Sequence, residues 1–348
     1  MRKTMALVLA ALFIVSAGAQ ALAATTLLET GSTLLYPLMN LWVADYQKSN
    51  PNVQITTQGT GSGTGISQAI SGVAQIGASD AYMADAQMKA TPMLNIPLAI
   101  SAQQVNYNVP GLNDVHLNLS GPVLAGIYNG DIKFWDDAKI KDINKPYASK
   151  LPHKEIVPIH RAEGSGDTFI FTQYLSKSTP SWANGPGYGT TISWPSVGNA
   201  VGATGNPGMV QTCQNTQYSV AYIGVAYIDQ TKKAGLGYAQ LENAAGKFVL
   251  PTKDAINAAA AATDKATPPD QRISLIFAPG EKSYPIINYE YAIVNPKQAD
   301  PSKSGELKKF LNWALTEGQS DKYLGAVHFL PLPASIVKLS KEQVEKIQ

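Results

Sequence analysis

The sequence alternates short runs of β-branched residues with amphipathic stretches along most of its 348 residues. Apolar residues that recur every three or four positions predict a helix, whereas strict alternation of apolar and polar residues predicts a strand. A regular exchange between these two patterns is typical of α/β proteins, in which helices cover mainly parallel strands. The sequence therefore predicts an α/β fold.

Two helical stripes near the start of the chain show this alternation clearly. The first stripe comprises Leu35, Leu38, Met39, Trp42 and Tyr46. The second comprises Ile66, Ala69, Ile70 and Val73. Each stripe is followed by a short strand pattern, at residues 53–55 and 76–78. We expect these apolar side chains to form core contacts between helices and a sheet.

The first 23 residues have the features of a cleavable signal peptide. Arg2 and Lys3 precede an apolar run at residues 5–15, and Ala21-Leu22-Ala23 supplies the small-x-small motif for cleavage before Ala24. The apolar run is much shorter than the roughly 20 residues that a membrane-spanning helix needs. We therefore predict a signal peptide at 1–23 and a mature chain that is periplasmic or secreted.

The charge balance and the single cysteine exclude several classes. Of 27 Lys and Arg residues, two lie in the predicted signal peptide, which leaves 25 against 25 Asp and Glu. Nucleic-acid binding is not expected, because it relies on clustered positive charge. Cys213 has no partner for an intramolecular disulfide. The four histidines show no ligand spacing, so no metal and no cofactor are predicted.

A turn rich in Gly, Ser and Thr runs directly into a predicted helix at three places, residues 31–34, 59–65 and 164–168. The first turn of a helix has backbone NH groups without partners, and the helix dipole is positive there. An anion fits this position, and glycine lets the backbone approach it closely. Any one such turn is also an ordinary N-cap. Their repetition favours an anion site.

Well-known catalytic and nucleotide-binding motifs do not match these turns. Segment 59–65 lacks the Lys-Ser/Thr ending of a phosphate-binding P-loop, and its glycines do not match the dinucleotide fingerprint. Neither Ser62 nor Ser165 has glycine two residues away on both sides, as a hydrolase nucleophile would. We therefore predict no catalytic residue and no enzymatic activity.

Asp80 and Arg161 add two charged groups to the three turns. The guanidinium of Arg161, four residues before Ser165, can donate two hydrogen bonds to a tetrahedral oxyanion. The carboxylate of Asp80 would repel an anion by about 4 kcal/mol at about 4 Å with an effective dielectric of about 20. It therefore suits only an anion that carries a proton, as phosphate does at neutral pH and sulfate does not. Alone, Asp80 would be interpreted as a strand-end residue.

Six segments of the sequence together resemble a known family. They are GSTLLYPLMNLW, GTGSGTGISQAI, IGASDAYM, GDIKFWDD, HRAEGSGDTFIFTQYL and NYEYAIVN. In order and spacing they are similar to segments of the PstS family of periplasmic phosphate-binding proteins, and the resemblance covers essentially the whole mature chain. It implies a two-lobed periplasmic-binding-protein fold, each lobe a mainly parallel sheet flanked by helices, with the ligand in the cleft between the lobes.

The resemblance also implies lobe boundaries and site residues. Lobe I would combine residues 24–103 with 288–348, and lobe II would comprise residues 104–287, with chain crossings near 100–107 and 287–295. The expected phosphate-binding residues are Ser32, Thr33, Leu34, Ser62, Asp80, Arg161, Ser165, Gly166 and Asp167. By resemblance, Asp80 accepts the phosphate proton, Leu34 acts through its backbone NH, and Arg161 supplies the guanidinium.

Two positions near the site leave alternatives open. Many family members have threonine at the position of Asp167, so a second carboxylate here could accept another phosphate hydroxyl group and favour the more protonated ligand. Glu163 is either an orienting partner for Arg161 or an exposed loop acid.

The function implied by the resemblance is capture of inorganic phosphate by a monomer that docks on the membrane permease of an ABC importer. An exported oxyanion-binding or phosphate-sensing protein without a transport role is the alternative. An exported phosphatase is a further alternative, which lacks a nucleophile–base pair and a metal cluster in the sequence.

Overall fold

The structure, a computed structural model, describes residues 24–348, so the predicted signal peptide lies outside it. The strands are β1 (Thr25–Gly31), β2 (Val53–Gly59), β3 (Ile76–Ser79), β4 (Leu94–Asn108), β5 (Asn118–Leu119), β6 (Val157–Arg161), β7 (Val201–Ala203), β8 (Ser219–Gly224), β9 (Gly237–Tyr238), β10 (Gln240–Glu242), β11 (Phe248–Val249) and β12 (Ile287–Val294).

The helices alternate with these strands along the chain. They are α1 (Tyr36–Ser49), α2 (Ser62–Ile70), α3 (Asp85–Ala90), α4 (Gly121–Asn129), α5 (Ala138–Ile143), α6 (Gly166–Ser178), α7 (Pro180–Ala183), α8 (Gly205–Asn215), α9 (Ile228–Lys233), α10 (Lys253–Thr263), α11 (Ser304–Ala314), α12 (Asp321–Leu324) and α13 (Ala334–Val344). Within residues 24–348, none of these helices has the length and apolar character to cross a bilayer.

Nine strands form one sheet in the order β2-β1-β3-β12-β4-β8-β6-β7, with β9 paired to β4. One parallel group consists of β2, β1 and β3, and the other consists of β8, β6 and β7. Antiparallel pairing of β12 and β4 joins the two groups into a continuous sheet. The predicted α/β class is confirmed.

Strand β4 takes part in both halves of the sheet. Its residues 94–102 pair with β12, and its residues 103–108 pair with β8. Both β4 and β12 are buried along nearly their whole length. Strands that are covered on both faces are expected to be largely apolar, so the polar side chains within these two strands need specific partners.

The helical stripes found in the sequence pack as expected, with one exception. Trp42 on α1 is fully buried and donates its indole NH to the carbonyl oxygen of Gly318 at 3.0 Å. Tyr46 on the same helix makes an edge-to-face contact with Phe310 of α11. Val73 does not belong to the core: α2 ends at Ile70, and Val73 is 58% exposed. The chain leaves the helical conformation at Gly72, so the stripe cannot continue to Val73.

The carboxyl ends of the two parallel groups are the key feature for function. Strands β1, β2 and β3 end at residues 31, 59 and 79, and strands β6 and β7 end at residues 161 and 203. In open α/β sheets, ligands bind outside the carboxyl ends of the strands, at the point where the strand order reverses. The turns at 31–34 and 59–65 begin at the last residues of β1 and β2, and the turn at 164–168 begins three residues after the end of β6.

Candidate functional site

Ser32 connects the first turn to Asp80. Its Oγ accepts the backbone NH groups of Leu34 at 3.0 Å and Leu35 at 2.9 Å, in the turn that leads into α1. The same hydroxyl group donates to Oδ1 of Asp80. Ser32 therefore both orders the turn that precedes α1 and contacts a charged group of the site, so a local structural role and a role in the site are compatible.

Ser62 connects the second turn to the same carboxyl group. It begins α2, its Oγ accepts the backbone NH of Asp80 at 3.2 Å, and its hydroxyl group lies 3.4 Å from Oδ2 of Asp80. The preceding Gly61 has φ of +91°, a conformation that favours glycine. The first two turns thus converge on Asp80.

The third turn approaches Asp80 from the other side. Ser165 caps α6, and its backbone NH donates to the carbonyl oxygen of Thr190 at 2.8 Å. A side chain at Gly166 would collide with Oδ2 of Asp80 and with Oγ of Ser62. Glycine therefore occupies the first position of α6, where any side chain would be too close to Asp80 and Ser62. Because Gly166 lies against Asp80, the free backbone NH groups of the first turn of α6 also lie next to Asp80.

The guanidinium of Arg161 is held by two carboxylates. Its Nε and Nη2 donate to Oε1 of Glu163, the former at 2.8 Å, and its Nη1 donates to Oδ2 of Asp167 at 2.5 Å. Three of the five N–H donors are thereby used, which leaves one on each terminal nitrogen for an anion. Glu163 orients Arg161, so the alternative of an exposed loop acid is wrong.

Asp167 has donors on both carboxylate oxygens. Besides Arg161, the side chain of Asn206 donates to Oδ2 at 2.7 Å, and Nε2 of Gln103 donates to Oδ1 at 3.0 Å. Burial raises the pKa of Asp167, and the charge of Arg161 offsets part of this rise. The contacts give Asp167 an anchoring role for Arg161. That it also accepts a phosphate hydroxyl group stays a hypothesis.

Asp80 lies in an environment that disfavours its charge. Burial raises its pKa well above the ordinary value, and the nearby carboxyl groups of Glu290 and Asp167 raise it further, while the hydrogen bond from Ser32 lowers it. Burial raises the pKa of Glu290, on β12, to about 7. The site therefore contains two buried carboxyl groups, Asp80 and Glu290, whose charged forms are both disfavoured.

Thr33 and Leu34 contact the second half of the sheet. Oγ1 of Thr33 accepts the backbone NH of Asn206 at 3.1 Å and its side-chain NH₂ at 3.0 Å. The hydroxyl group of Tyr227 donates to the carbonyl oxygen of Thr33 at 2.7 Å. The side chain of Leu34 packs against the backbone of Gly224. Leu34 thus could contact a ligand only through its backbone, whose NH already donates to Oγ of Ser32.

The structure brings all nine predicted site residues together. Each is buried, and the largest exposed fraction among the eight that have side chains is 6%, at Thr33. Five residues from the turns that lead into α1 and α2 and from the end of β3 face four residues from β6 and the start of α6. No group of His, Cys, Asp and Glu suited to a metal ion is found among residues 24–348.

Four further residues of the site were missed in the sequence. Asn206 had a detectable signal, because it follows Thr204 and Gly205 at the start of α8, a fourth turn of the same kind. Gln103, Tyr227 and Glu290 had none, since no local pattern distinguishes them from the other residues of their strands and turns.

Comparisons with known proteins agree with this geometry. A model of the PBP superfamily domain matches residues 16–317. The phosphate-binding protein PstS of Methanocaldococcus jannaschii is 38% identical over 336 residues, covering 92% of this chain and 85% of that protein. The PstS of Haemophilus influenzae is 32% identical over 320 residues, covering 92% of each chain.

A solved structure supports the fold. It is a high-affinity periplasmic phosphate-binding protein bound with phosphate at pH 8.5, which is similar with a TM-score of 0.71 at 20% identity and covers 91% of this chain and 93% of that one. The resemblance found in the six sequence segments is thereby confirmed. The chain belongs to the PBP superfamily and, within it, to the PstS family of phosphate-binding proteins.

Proposed function

We propose that this chain binds one inorganic phosphate ion where the N-termini of α1, α2 and α6 converge, and that it delivers the ion to an ABC importer. The observation that carries the proposal is the buried carboxyl group of Asp80 among helix N-termini and a guanidinium. Helix N-termini and Arg161 attract an oxyanion. Asp80 requires this oxyanion to bring a proton.

Each predicted residue has a role in this proposal. The backbone NH of Thr33 donates to phosphate before α1, and those of Gly166 and Asp167 donate from the start of α6. The NH of Leu34, which donates to Oγ of Ser32 in this structure, would be shared between Ser32 and the phosphate. The hydroxyl groups of Ser62 and Ser165 rotate to donate as well. Asp80 accepts the phosphate hydroxyl group, Ser32 orients Asp80, and Arg161 provides its two free N–H groups.

Selectivity against sulfate follows from the same arrangement. Sulfate has no proton at neutral pH, so it would face the lone pairs of the Asp80 carboxylate without a hydrogen bond. A site that is built to accept a ligand hydroxyl group rejects an analogue that lacks it by a factor of about 10⁴ to 10⁵.

We also propose that the chain closes around phosphate as two lobes. Lobe I comprises residues 24–103 and 288–348, and lobe II comprises residues 104–287. The change of pairing partner along β4 supports this division. In the closed form, Asn206 contacts Thr33, and the NH of Gly63 donates to the carbonyl oxygen of Gly164 at 3.0 Å. Separation of these contacts would open a path for the ion.

Residues 1–23 act as a cleavable signal peptide in this proposal, and the exported monomer binds neither nucleic acid nor a cofactor. We propose reversible binding without catalysis, because the site contains neither a nucleophile–base pair nor, among the described residues, a metal cluster. Incubation with p-nitrophenyl phosphate should release no p-nitrophenol, and measured turnover would contradict a pure binding role.

Titration calorimetry tests the proposal directly. The mature chain, residues 24–348, is unfolded and refolded to remove carried-over ligand, and it is then titrated with phosphate and with sulfate. Phosphate should bind with a stoichiometry of one, and sulfate should bind at least about 10⁴-fold more weakly. Sulfate binding as tight as phosphate binding would refute the role of Asp80.

The variant Asp80→Asn sharpens this test. The amide of asparagine can donate to sulfate, so the variant should bind phosphate more weakly while its preference for phosphate over sulfate falls by about 10³-fold or more. An equal loss for both ions would show that Asp80 is merely structural.

A further inference from the structure

Thr33 of lobe I accepts three hydrogen bonds from lobe II. The hydroxyl group of Tyr227 donates to its carbonyl oxygen at 2.7 Å, and the backbone NH and the side chain of Asn206 both donate to its Oγ1. Thr33 is 6% exposed and Tyr227 is 3% exposed, so water has little access to these bonds. The two lobes are therefore joined at a residue of the proposed phosphate site.

Tyr227 holds the peptide unit between Thr33 and Leu34. It ends the 3₁₀ turn Val225–Tyr227, directly after β8, and its one hydroxyl hydrogen is already given to Thr33, so it cannot donate to the ligand. The carbonyl group of Thr33 and the NH of Leu34 belong to the same planar unit. A bond that holds the carbonyl group therefore also fixes the direction of the Leu34 NH, which is one of the proposed donors to phosphate.

The side chain of Leu34 docks on Gly224, the last residue of β8. A methyl group at Gly224 would overlap Cδ1 of Leu34 and would lie 3.0 Å from its Cγ. Leu34 is fully buried, so its side chain has little space into which to move. The backbone of Gly224 has φ of −66° and ψ of 147°, a conformation that residues with side chains adopt freely. Glycine is thus needed here for the approach of lobe I and not for the conformation of lobe II.

Asn206 completes this contact from within lobe II. Its Oδ1 accepts the backbone NH of Gly224 at 2.8 Å, so its amide hydrogens point away from Gly224, and one of them is donated to Thr33. We propose that Tyr227, Asn206 and Gly224 form a latch on the turn of Thr33 and Leu34, and that rupture of this latch governs the release of phosphate. The inference rests on the proposed function and on the proposed closure of the two lobes.

The latch has a kinetic consequence. Phosphate enters the open form, in which the latch is not made, and leaves only after the latch has broken. Weakening the latch should therefore raise the dissociation rate and leave the association rate nearly unchanged. Damage to the fold would instead lower the fraction of protein that binds phosphate, without separating the two rates in this way.

The variant Tyr227→Phe removes one hydroxyl group of the latch and keeps the ring. Stopped-flow mixing of the refolded mature chain with inorganic phosphate should show dissociation about 5-fold to 10-fold faster than in wild type, and association within about twofold of it. Tyr128→Phe is the matched control, because Tyr128 is also buried and its hydroxyl group donates to the carbonyl oxygen of Ile159 at 2.9 Å, within lobe II. Both rates of the control should equal those of wild type.

A second set of variants tests the contact between Gly224 and Leu34. Gly224→Ala should raise the dissociation rate by about 10-fold or more, because the added methyl group overlaps Leu34 in the closed form. In the presence of Leu34→Ala, the same substitution should change the rate by less than about twofold, because the overlapping side chain is absent. Such a rescue across the cleft distinguishes the latch from a local role of Gly224 within lobe II.

The possible failures can be separated. An unchanged dissociation rate in Tyr227→Phe, the same acceleration in Tyr128→Phe, or an equal effect of Gly224→Ala with and without Leu34→Ala would overturn the latch and leave the proposed function intact. Absence of calorimetric phosphate binding by the wild type would overturn both.

Discussion

Glu29 provides a strong test of how burial acts on charge in this fold. It lies on β1, is fully buried, and neither carboxylate oxygen has a hydrogen-bond partner of ordinary geometry among residues 24–348. Burial raises the pKa of Glu29 from its ordinary value of 4.5 to about 8, and a weaker interaction with the backbone NH of Gln58 offsets part of the rise. The folded protein therefore keeps Glu29 protonated at neutral pH.

The sign and size of the effect on stability follow from proton linkage. Between about pH 4.5 and pH 8, the folded state holds a proton on Glu29 that the unfolded chain has lost. The free energy of unfolding must then decrease as the pH rises through this interval. At about 1.36 kcal/mol per pH unit, the decrease is about 3 kcal/mol between pH 5 and pH 7, and it ends above about pH 8.

The variant Glu29→Gln removes this pH dependence, because glutamine is neutral at every pH. Urea unfolding of phosphate-free protein at pH 5, 7 and 9 measures the change in the free energy of unfolding. The matched control is Glu342→Gln, which replaces an exposed glutamate. Relative to wild type, Glu29→Gln should gain about 3 kcal/mol from pH 5 to pH 7, a midpoint change of about 1 M if the m-value is about 3 kcal/mol/M. The difference in the free energy of unfolding between Glu342→Gln and wild type should be the same at all three pH values.

A constant difference between Glu29→Gln and wild type at all three pH values would refute this reasoning. It would show that Glu29 ionises inside the fold at no net cost, so that burial does not determine its pKa. Phosphate must be absent in these measurements, because a ligand that binds the folded state stabilises it by mass action.

The site itself offers three further tests. Gly166→Ala places a methyl group against Asp80 and Ser62, so calorimetry should show phosphate affinity reduced by about 10-fold to 100-fold with an unchanged circular dichroism spectrum. Asp167→Thr should weaken binding by a similar factor at every pH from 5 to 9, because Arg161 loses an anchor; a changed pH profile would instead support Asp167 as a second acceptor of a phosphate hydroxyl group. Asn206→Ala removes hydrogen bonds that join Thr33 and Asp167, at about 1 kcal/mol each, so phosphate should dissociate faster in stopped-flow experiments, and an unchanged rate would exclude a role of Asn206 in closure.

Local patterns in the sequence were sufficient for the parallel parts of the fold. The stripe that contains Trp42 and the strand pattern at 53–55 correspond to α1 and β2, because apolar periodicity reflects which face of an element is buried. The three turns were also identifiable, since glycine and hydroxyl residues before a helix have a local physical reason. Asn206 could have been found by extending the same rule.

The partners of the site carboxyl groups could not be predicted from local patterns. Gln103 contacts Asp167 across 64 positions of sequence, and Ser101 contacts Glu290 across 189. These pairs exist because β4 and β12 cross between the two parallel groups of strands, and this crossing is set by the whole sheet. From the local sequence alone, Gln103 on β4 and Glu290 on β12 could not be distinguished from polar strand residues whose side chains face solvent.

The net charge of the site is the clearest example of a property that local sequence patterns do not predict. The carboxyl groups of Glu163 and Asp167 contact the guanidinium of Arg161, and the charges of Asp167 and Glu290 act on the carboxyl group of Asp80. If all four carboxyl groups were ionised, the site would be strongly negative before any anion entered, and Coulomb repulsion would oppose phosphate. Burial instead raises the pKa of three of them, at positions 80, 167 and 290, which favours retained protons. Affinity for phosphate must therefore depend on how many protons these groups hold, and that number is set by burial and by donors on distant strands.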